Sequence, residues 1–160
     1  MSFLLYRIDD RLIHGQVVVG WGQPLDAKFI VLVDDAVAIS DWEQELYRMG
    51  VPPHMDVYFV SVADAVSLIP KLQKDDRRGI LLTPDIPTMH KLVKAGVIEA
   101  VNVGGIHHRP GREQKIRYVF LTPAETDELQ AMGQAVRVFA QDLPGAHEFS
   151  LQQILEGEEG

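Results

Sequence analysis

His14 and Arg11 stand three residues apart in the stretch Arg7-Ile8-Asp9-Asp10-Arg11-Leu12-Ile13-His14-Gly15-Gln16, directly after the apolar run Phe3-Leu4-Leu5-Tyr6. An imidazole titrates near neutrality and, when neutral, offers a lone pair to an electrophile. A guanidinium presents a rigid fork of donors suited to phosphate or carboxylate. The run Gln16-Val17-Val18-Val19 predicts a helix starting just after His14, whose first N–H groups point the same way. Residues of these types at this spacing suit the carriage of a phosphoryl group on His14. Arg11 and the N–H groups near Gly15 and Gln16 would offset its charge.

A nucleophilic imidazole needs one nitrogen free and the other N–H held by an acceptor, which fixes the tautomer. Asp9, Asp10 and a backbone carbonyl are the candidate acceptors. Asp9 and Asp10 also suit a second role, anchoring the loop through N–H hydrogen bonds. Arg11 has an alternative as a salt-bridge brace for either aspartate. Gly15 serves a tight turn, close approach of backbone to phosphate, or both. Asp34-Asp35 is expected at a strand exit, with Asp35 a candidate cleft residue. Gly104-Gly105 is expected to mark backbone at positive φ or passing close to His14. His107 and His108 are adjacent on a loop and poorly placed to chelate one ion. With no cysteine and no supporting carboxylate spacing, no metal site is expected, and phosphoryl carriage on a histidine calls for no organic cofactor.

Composition narrows the classes. A chain of 160 residues is most simply one domain, able to bury roughly 70% of its unfolded surface. The absence of cysteine removes disulfides and thiolate sites and fits a reducing compartment. The net charge of −8 argues against nucleic-acid partners, whose phosphates demand neutralisation. Apolar runs such as Phe29-Ile30-Val31-Leu32-Val33 fall far short of the ~20 residues that cross a bilayer. A cytoplasmic protein is expected, with a solvated tail after about Glu156.

Strand-like runs alternate with helical segments of about ten residues, which implies βαβ units and a largely parallel sheet. Strands are expected at 3–8, 29–33, 57–62, 80–82, 100–103 and 136–140. Helices are expected at 42–49, 63–72 and 87–94, with a closing turn at 150–155. The second β-run is continuously apolar, as in a strand buried on both faces. Ser40 and Glu43 offer a capping box for the helix in which Trp42 and Tyr47 face the sheet. Thr122, Pro123 and Glu125 open another helix. Lys115–Leu121 follows a loop too short for a crossover helix and is expected as an antiparallel edge strand. The fold class is therefore α/β: one domain with an open, mostly parallel twisted sheet, helices on both faces and an antiparallel edge. In such sheets ligands gather at the carboxyl ends of the strands, where the loop carrying His14 lies. Ile13 and Val18 are expected on the rim of that loop.

The stretch from Arg7 to Val17 resembles the signature of the IIB component of the bacterial sugar phosphotransferase system, mannose/fructose/sorbose class. Trp21, Val33-Asp34-Asp35-Ala36-Val37-Ala38 and Asn102-Val103-Gly104-Gly105 extend the resemblance across nearly the whole chain, 1–160. Asp34 and Ala36 depart from the commoner asparagine and glutamate, and Ile106-His107-His108-Arg109 is unusually rich in histidine. The resemblance implies that His14 is the phosphorylated histidine and Arg11 its phosphate-binding arginine. The implied partners are a IIA phosphoryl donor and a sugar-loaded IIC/IID membrane permease, with a homodimer compatible. The alternative is a regulatory protein of the same fold that reports its phosphorylation state to a partner.

Overall fold

The computed structural model describes residues 3–157. In chain order the elements are β1 (Phe3–Ile8), a π-helix (Gln16–Gly22), β2 (Phe29–Val33), α1 (Asp35–Ala38), α2 (Asp41–Arg48), β3 (Asp56–Val60), α3 (Val62–Gln73), β4 (Gly79–Thr83), α4 (Ile86–Lys94) and β5 (Ala100–Val103). There follow β6 (Glu113–Ile116), β7 (Val119–Leu121), α5 (Pro123–Met132), β8 (Arg137–Ala140), β9 (Phe149–Ser150) and α6 (Leu151–Glu156). Seven strands make one sheet in the order β3-β2-β4-β1-β5-β8-β9. All its neighbours pair in parallel except β8 with β9.

The alternation along β2 explains the two-sided core. Phe29, Val31 and Val33 point to the face packed with Ile69, Met89 and Leu92 of α3 and α4. Ile30 and Leu32 point to the other face, with Val17 and Trp21 of the π-helix and Val37 of α1. Each strand residue is thus withdrawn from water on one side or the other. Caps set the helix starts: Asp34 accepts from the N–H groups of Ala36 and Val37, Asp85 from Thr88, and Thr122 with Glu125 closes a reciprocal box.

Several expectations need correction. The antiparallel edge is β9, not Lys115–Leu121; that segment turns back on itself as the β6–β7 hairpin, a separate two-stranded sheet. Ser40 precedes α2 but its side chain makes no cap hydrogen bond. Trp42 does not face the sheet and is 69% exposed, whereas Tyr47 packs on Phe59. Ile13 and Val18 are buried and so do not stand exposed on the rim of the loop. The residues of the tail after Gly157 lie outside the described ones.

The topology fixes where loops converge. From β1 the chain moves toward β2 on one side of the sheet, and from β5 toward β8 on the other. That reversal leaves a crevice at the carboxyl ends of the central strands. Backbone bonds pin the exit of β1 there: Asp9 N–H to Thr83 O at 3.0 Å, Gly104 N–H to Ile8 O at 2.7 Å, and Asp10 N–H to Gly105 O at 2.9 Å.

Candidate functional site

The loop leaving β1 is a tight turn closed by the N–H of Leu12 on the carbonyl of Asp9 at 3.0 Å. Leu12 takes a positive φ of 58° while its side chain is buried. A left-handed leucine costs on the order of 1–3 kcal/mol and persists only where packing imposes it. Here its burial in the apolar cluster beside Val17 and Trp21 supplies that packing. The turn then delivers His14 to the start of the π-helix, where the His14 carbonyl accepts from Val17 and Val18.

His14 Nε2 lies 3.2 Å from Oδ2 of Asp9, with the histidine side chain 17% exposed and the aspartate fully buried. The contact is of ion-pair length but is not aligned as a hydrogen bond, so Nε2 is a buried polar atom awaiting one. Asp9 itself is firmly held. Arg7 Nε meets the same Oδ2 at 3.2 Å, and the Arg11 N–H meets Oδ1 at 3.2 Å. Burial works to raise the Asp9 carboxyl, but His14, Arg7 and the Arg11 N–H outweigh it and hold it below the ordinary range. The site therefore keeps a carboxylate under the imidazole.

Arg7 is the residue on which this arrangement rests. It is fully buried, donates to Asn102 Oδ1 at 2.5 Å and to the Gln141 carbonyl at 2.9 Å, and lies 5.4 Å from the centre of the Trp21 ring. Burial pulls its guanidinium down, and Asp9 opposes that pull. Gly104 exists for this side chain: a Cβ there would stand 2.4 Å from Arg7 Cζ. The close approach expected of Gly104 is thus to Arg7, and its φ is not positive. Gly105 borders the site more directly, with a Cβ position 3.5 Å from Asp9 Oδ1 and 3.9 Å from an Arg11 terminal nitrogen.

Arg11 is 46% exposed, with Nε 3.7 Å from Asp9 Oδ1, so it both braces Asp9 and presents its outer face to solvent. Its terminal nitrogen donates to Gln16 Oε1 at 2.5 Å. Gln16 passes the link on, donating to the Asp142 carbonyl at 2.9 Å and to its Oδ1 at 2.5 Å. Trp21 Nε1 also donates to the Asp142 carbonyl, at 3.0 Å. The loop after β8 is therefore tied across the site by Gln16, Trp21 and Arg7. Gly15 has a helical φ of −53°, and a Cβ on it would meet nothing within 4 Å. Neither conformation nor packing within the chain requires glycine there.

Of the residues singled out in the sequence, His14, Arg11 and Gly105 border Asp9, while Gln16 joins through Arg11 and Gly104 through Arg7. Asp10 holds His107 with both carboxylate oxygens. Asp35 lies at the exit of β2, one strand removed from β1, where its Oδ1 accepts from Val62 N–H at 2.9 Å. Arg7, Asn102 and Asp142 were not anticipated. Arg7 had a signal: a charge inside the otherwise apolar strand Leu5-Tyr6-Arg7-Ile8 must find a partner if the strand is buried on both faces. Asp142 had none, since its role is set by a loop 126 residues from Gln16. Among the described residues there is no cluster of side chains able to hold a metal ion.

The family described as PTS system sorbose subfamily IIB component matches residues 3–160. An N-acetylgalactosamine-specific phosphotransferase enzyme IIB component 1 of Escherichia coli (strain K12) is 35% identical over 148 residues, 90% of this chain and 92% of the relative. A PTS system mannose-specific EIIAB component of the same organism is 36% identical over 111 residues, 69% of this chain and 34% of the relative. The crystal structure of the IIBSor domain of the sorbose permease from Klebsiella pneumoniae superposes with a TM-score of 0.87 at 30% identity, covering 98% of each chain. The chain belongs to the sorbose subfamily of phosphotransferase-system IIB components.

Proposed function

We propose that this protein is the phosphoryl-carrying subunit of a sugar-uptake system, with His14 Nδ1 as the atom that carries the group. Its donor is a phosphohistidine on a IIA protein, and its acceptor is a sugar held by a IIC/IID permease. The single observation behind this reading is the Asp9–His14 contact at 3.2 Å. It sets Nε2, and not Nδ1, against a buried carboxylate. That leaves Nδ1, which has no hydrogen-bond partner among the described residues, as the nitrogen with its lone pair free. The family to which the chain belongs, and the joint IIA and IIB in the name of the mannose-specific relative, support the choice of donor.

The chemistry follows from these positions. The Nδ1 lone pair attacks phosphorus in line, a new N–P bond forms, and the donor N–P bond breaks with its electrons returning to the donor imidazole. The His14 ring gains positive charge as it does so, and Asp9 stabilises it through Nε2–H. Arg11 exchanges its bond to Gln16 for the phosphoryl oxygens, giving the charge-assisted pairing that a guanidinium makes with phosphate. Positioning and electrostatics of this kind are most of what phosphoryl transfer requires. None of the described helices is long and apolar enough to cross a membrane; we place the protein at the cytoplasmic face, docked on its permease.

The test is phosphorylation by a phosphorylated IIA donor. The wild-type chain takes one acid-labile, alkali-stable phosphoryl group and His14→Ala takes none. Label on His14→Ala at the same stoichiometry overturns the assignment. Label accepted by wild type but never passed to a sugar shifts the reading to a regulatory reporter.

A further inference from the structure

Asp10 spends both carboxylate oxygens on one residue outside the site described above. It accepts from the backbone N–H of His107 at 2.7 Å and pairs with His107 Nδ1 at 2.6 Å. In the neutral ring a carboxylate on Nδ1 selects the tautomer with hydrogen on that nitrogen and the lone pair on Nε2. The ring is 58% exposed. It stands across Gly105 from the phosphoryl site: a Cβ on Gly105 would lie 3.4 Å from His107 Cε1, on the same glycine that borders Asp9 and Arg11. Its backbone is braced as well. Arg112 donates to the His107 carbonyl at 2.8 Å while gripping Glu125 with two bonds of 3.0 and 2.7 Å. Glu125 in turn closes the capping box of α5. A histidine that merely solvates a loop needs neither a bidentate carboxylate nor a braced carbonyl.

We infer that His107 is the general base of the sugar-directed half of the reaction, taking the proton of the acceptor hydroxyl. The inference rests on the phosphoryl-carrier reading above. The two half-reactions differ in their protons. Passage between two imidazoles breaks one N–P bond and makes another, with no O–H bond involved. Passage to a sugar makes an O–P bond and breaks an O–H bond, so a proton must leave. The hydroxyl oxygen attacks phosphorus, its proton passes to Nε2 of His107, and the electrons of the His14 Nδ1–P bond return to Nδ1. His14 is left neutral with Nε2–H on Asp9. His107 is left as an imidazolium stabilised by Asp10, and returns its proton to solvent. An exposed imidazole on the rim, oriented by a carboxylate, is placed for a hydroxyl that arrives from outside the chain.

The experiment separates the halves by rapid quench, using phosphorylated IIA donor, this chain, and vesicles carrying its permease. The acceptor is whichever of N-acetylgalactosamine, sorbose and mannose the wild type phosphorylates. For His107→Ala, acceptance of label on His14 stays within about threefold of wild type while onward transfer falls roughly 100-fold. Added imidazole restores part of that loss, and Asp10→Asn shows the same split more weakly. Equal slowing of both halves, or onward transfer at the wild-type rate, overturns the inference. A wild-type chain that takes no label on His14, or passes it to none of the three sugars, overturns the carrier reading instead.

Discussion

Oδ2 of Asp9 lies 3.2 Å from Nε2 of His14. The same oxygen receives Arg7 Nε at 3.2 Å, so a single buried carboxylate orients the histidine and neutralises the arginine beneath it. The order of dependence runs from Gly104, which makes room for Arg7, through Arg7 and Asp9, to His14.

Breaking the buried pair from the arginine side leaves an uncompensated carboxylate. Arg7→Met is expected to destabilise the fold by about 3–5 kcal/mol. Adding Asp9→Asn to it recovers a large part. Denaturant titration of the two variants checks this; equal stabilities for Arg7→Met and wild type would mean that Arg7 is not paired as described.

The two glycines near the site should respond oppositely. In Gly104→Ala the new Cβ meets Arg7 Cζ at 2.4 Å, a collision with a buried, fully bonded side chain that costs roughly 1–3 kcal/mol. In Gly15→Ala the Cβ enters open space at an N-cap whose φ and ψ alanine can adopt, and the reduced freedom of the unfolded chain stabilises by up to about 1 kcal/mol. Thermal melts separate the two. Slower phosphorylation of a stable Gly15→Ala would then report contact with the donor rather than a damaged fold.

The first signature marked His14 and Arg11 as candidates, and the structure brings both to Asp9; the two-faced apolar pattern of β2 and the Thr122 box of α5 were legible in the sequence. What the sequence concealed was pairing at a distance. Asp10 is adjacent to Asp9 in the chain, yet one aspartate faces His14 and the other binds His107. The hairpin of β6 and β7 was hidden because Lys115–Leu121 has the composition of one strand, and the turn at Arg117 carries neither glycine nor proline. Phe149–Ser150 is too short to show any period, so the true edge strand could not be read.

Removal of the Arg11 side chain should act on rate and not on fold. Its guanidinium is half exposed and its ion pair with Asp9 is long. Arg11→Ala is expected to slow phosphoryl acceptance about 100- to 1,000-fold, as loss of one charge-stabilising donor does. Stability should change by less than about 1 kcal/mol. Pre-steady-state labelling measures the first; an unchanged rate would reduce Arg11 to a brace for Asp9.

Stability should fall at both ends of the pH scale for identifiable reasons. Asp9 titrates below its ordinary value in the folded chain, so its contribution is complete above the unfolded pKa and is lost as pH falls through the folded one. Burial raises Tyr6 and Tyr118 to about 12 from 10.0. Their contribution is complete below pH 10 and is lost as pH rises toward about 12. Urea unfolding across pH checks both limbs. Asp9→Asn should flatten the acid limb and leave the alkaline limb in place; an acid limb identical to wild type would contradict the role given to Asp9.

Nitrogen–phosphorus coupling in the NMR spectrum of the 15N-histidine-labelled protein, phosphorylated by its IIA donor, reads the phosphorylated atom directly. One phosphoryl group is expected, coupled to Nδ1 of His14, with the Nε2–H resonance retained on the side of Asp9. Coupling to His14 Nε2, or a phosphoryl group on any other histidine, would contradict it.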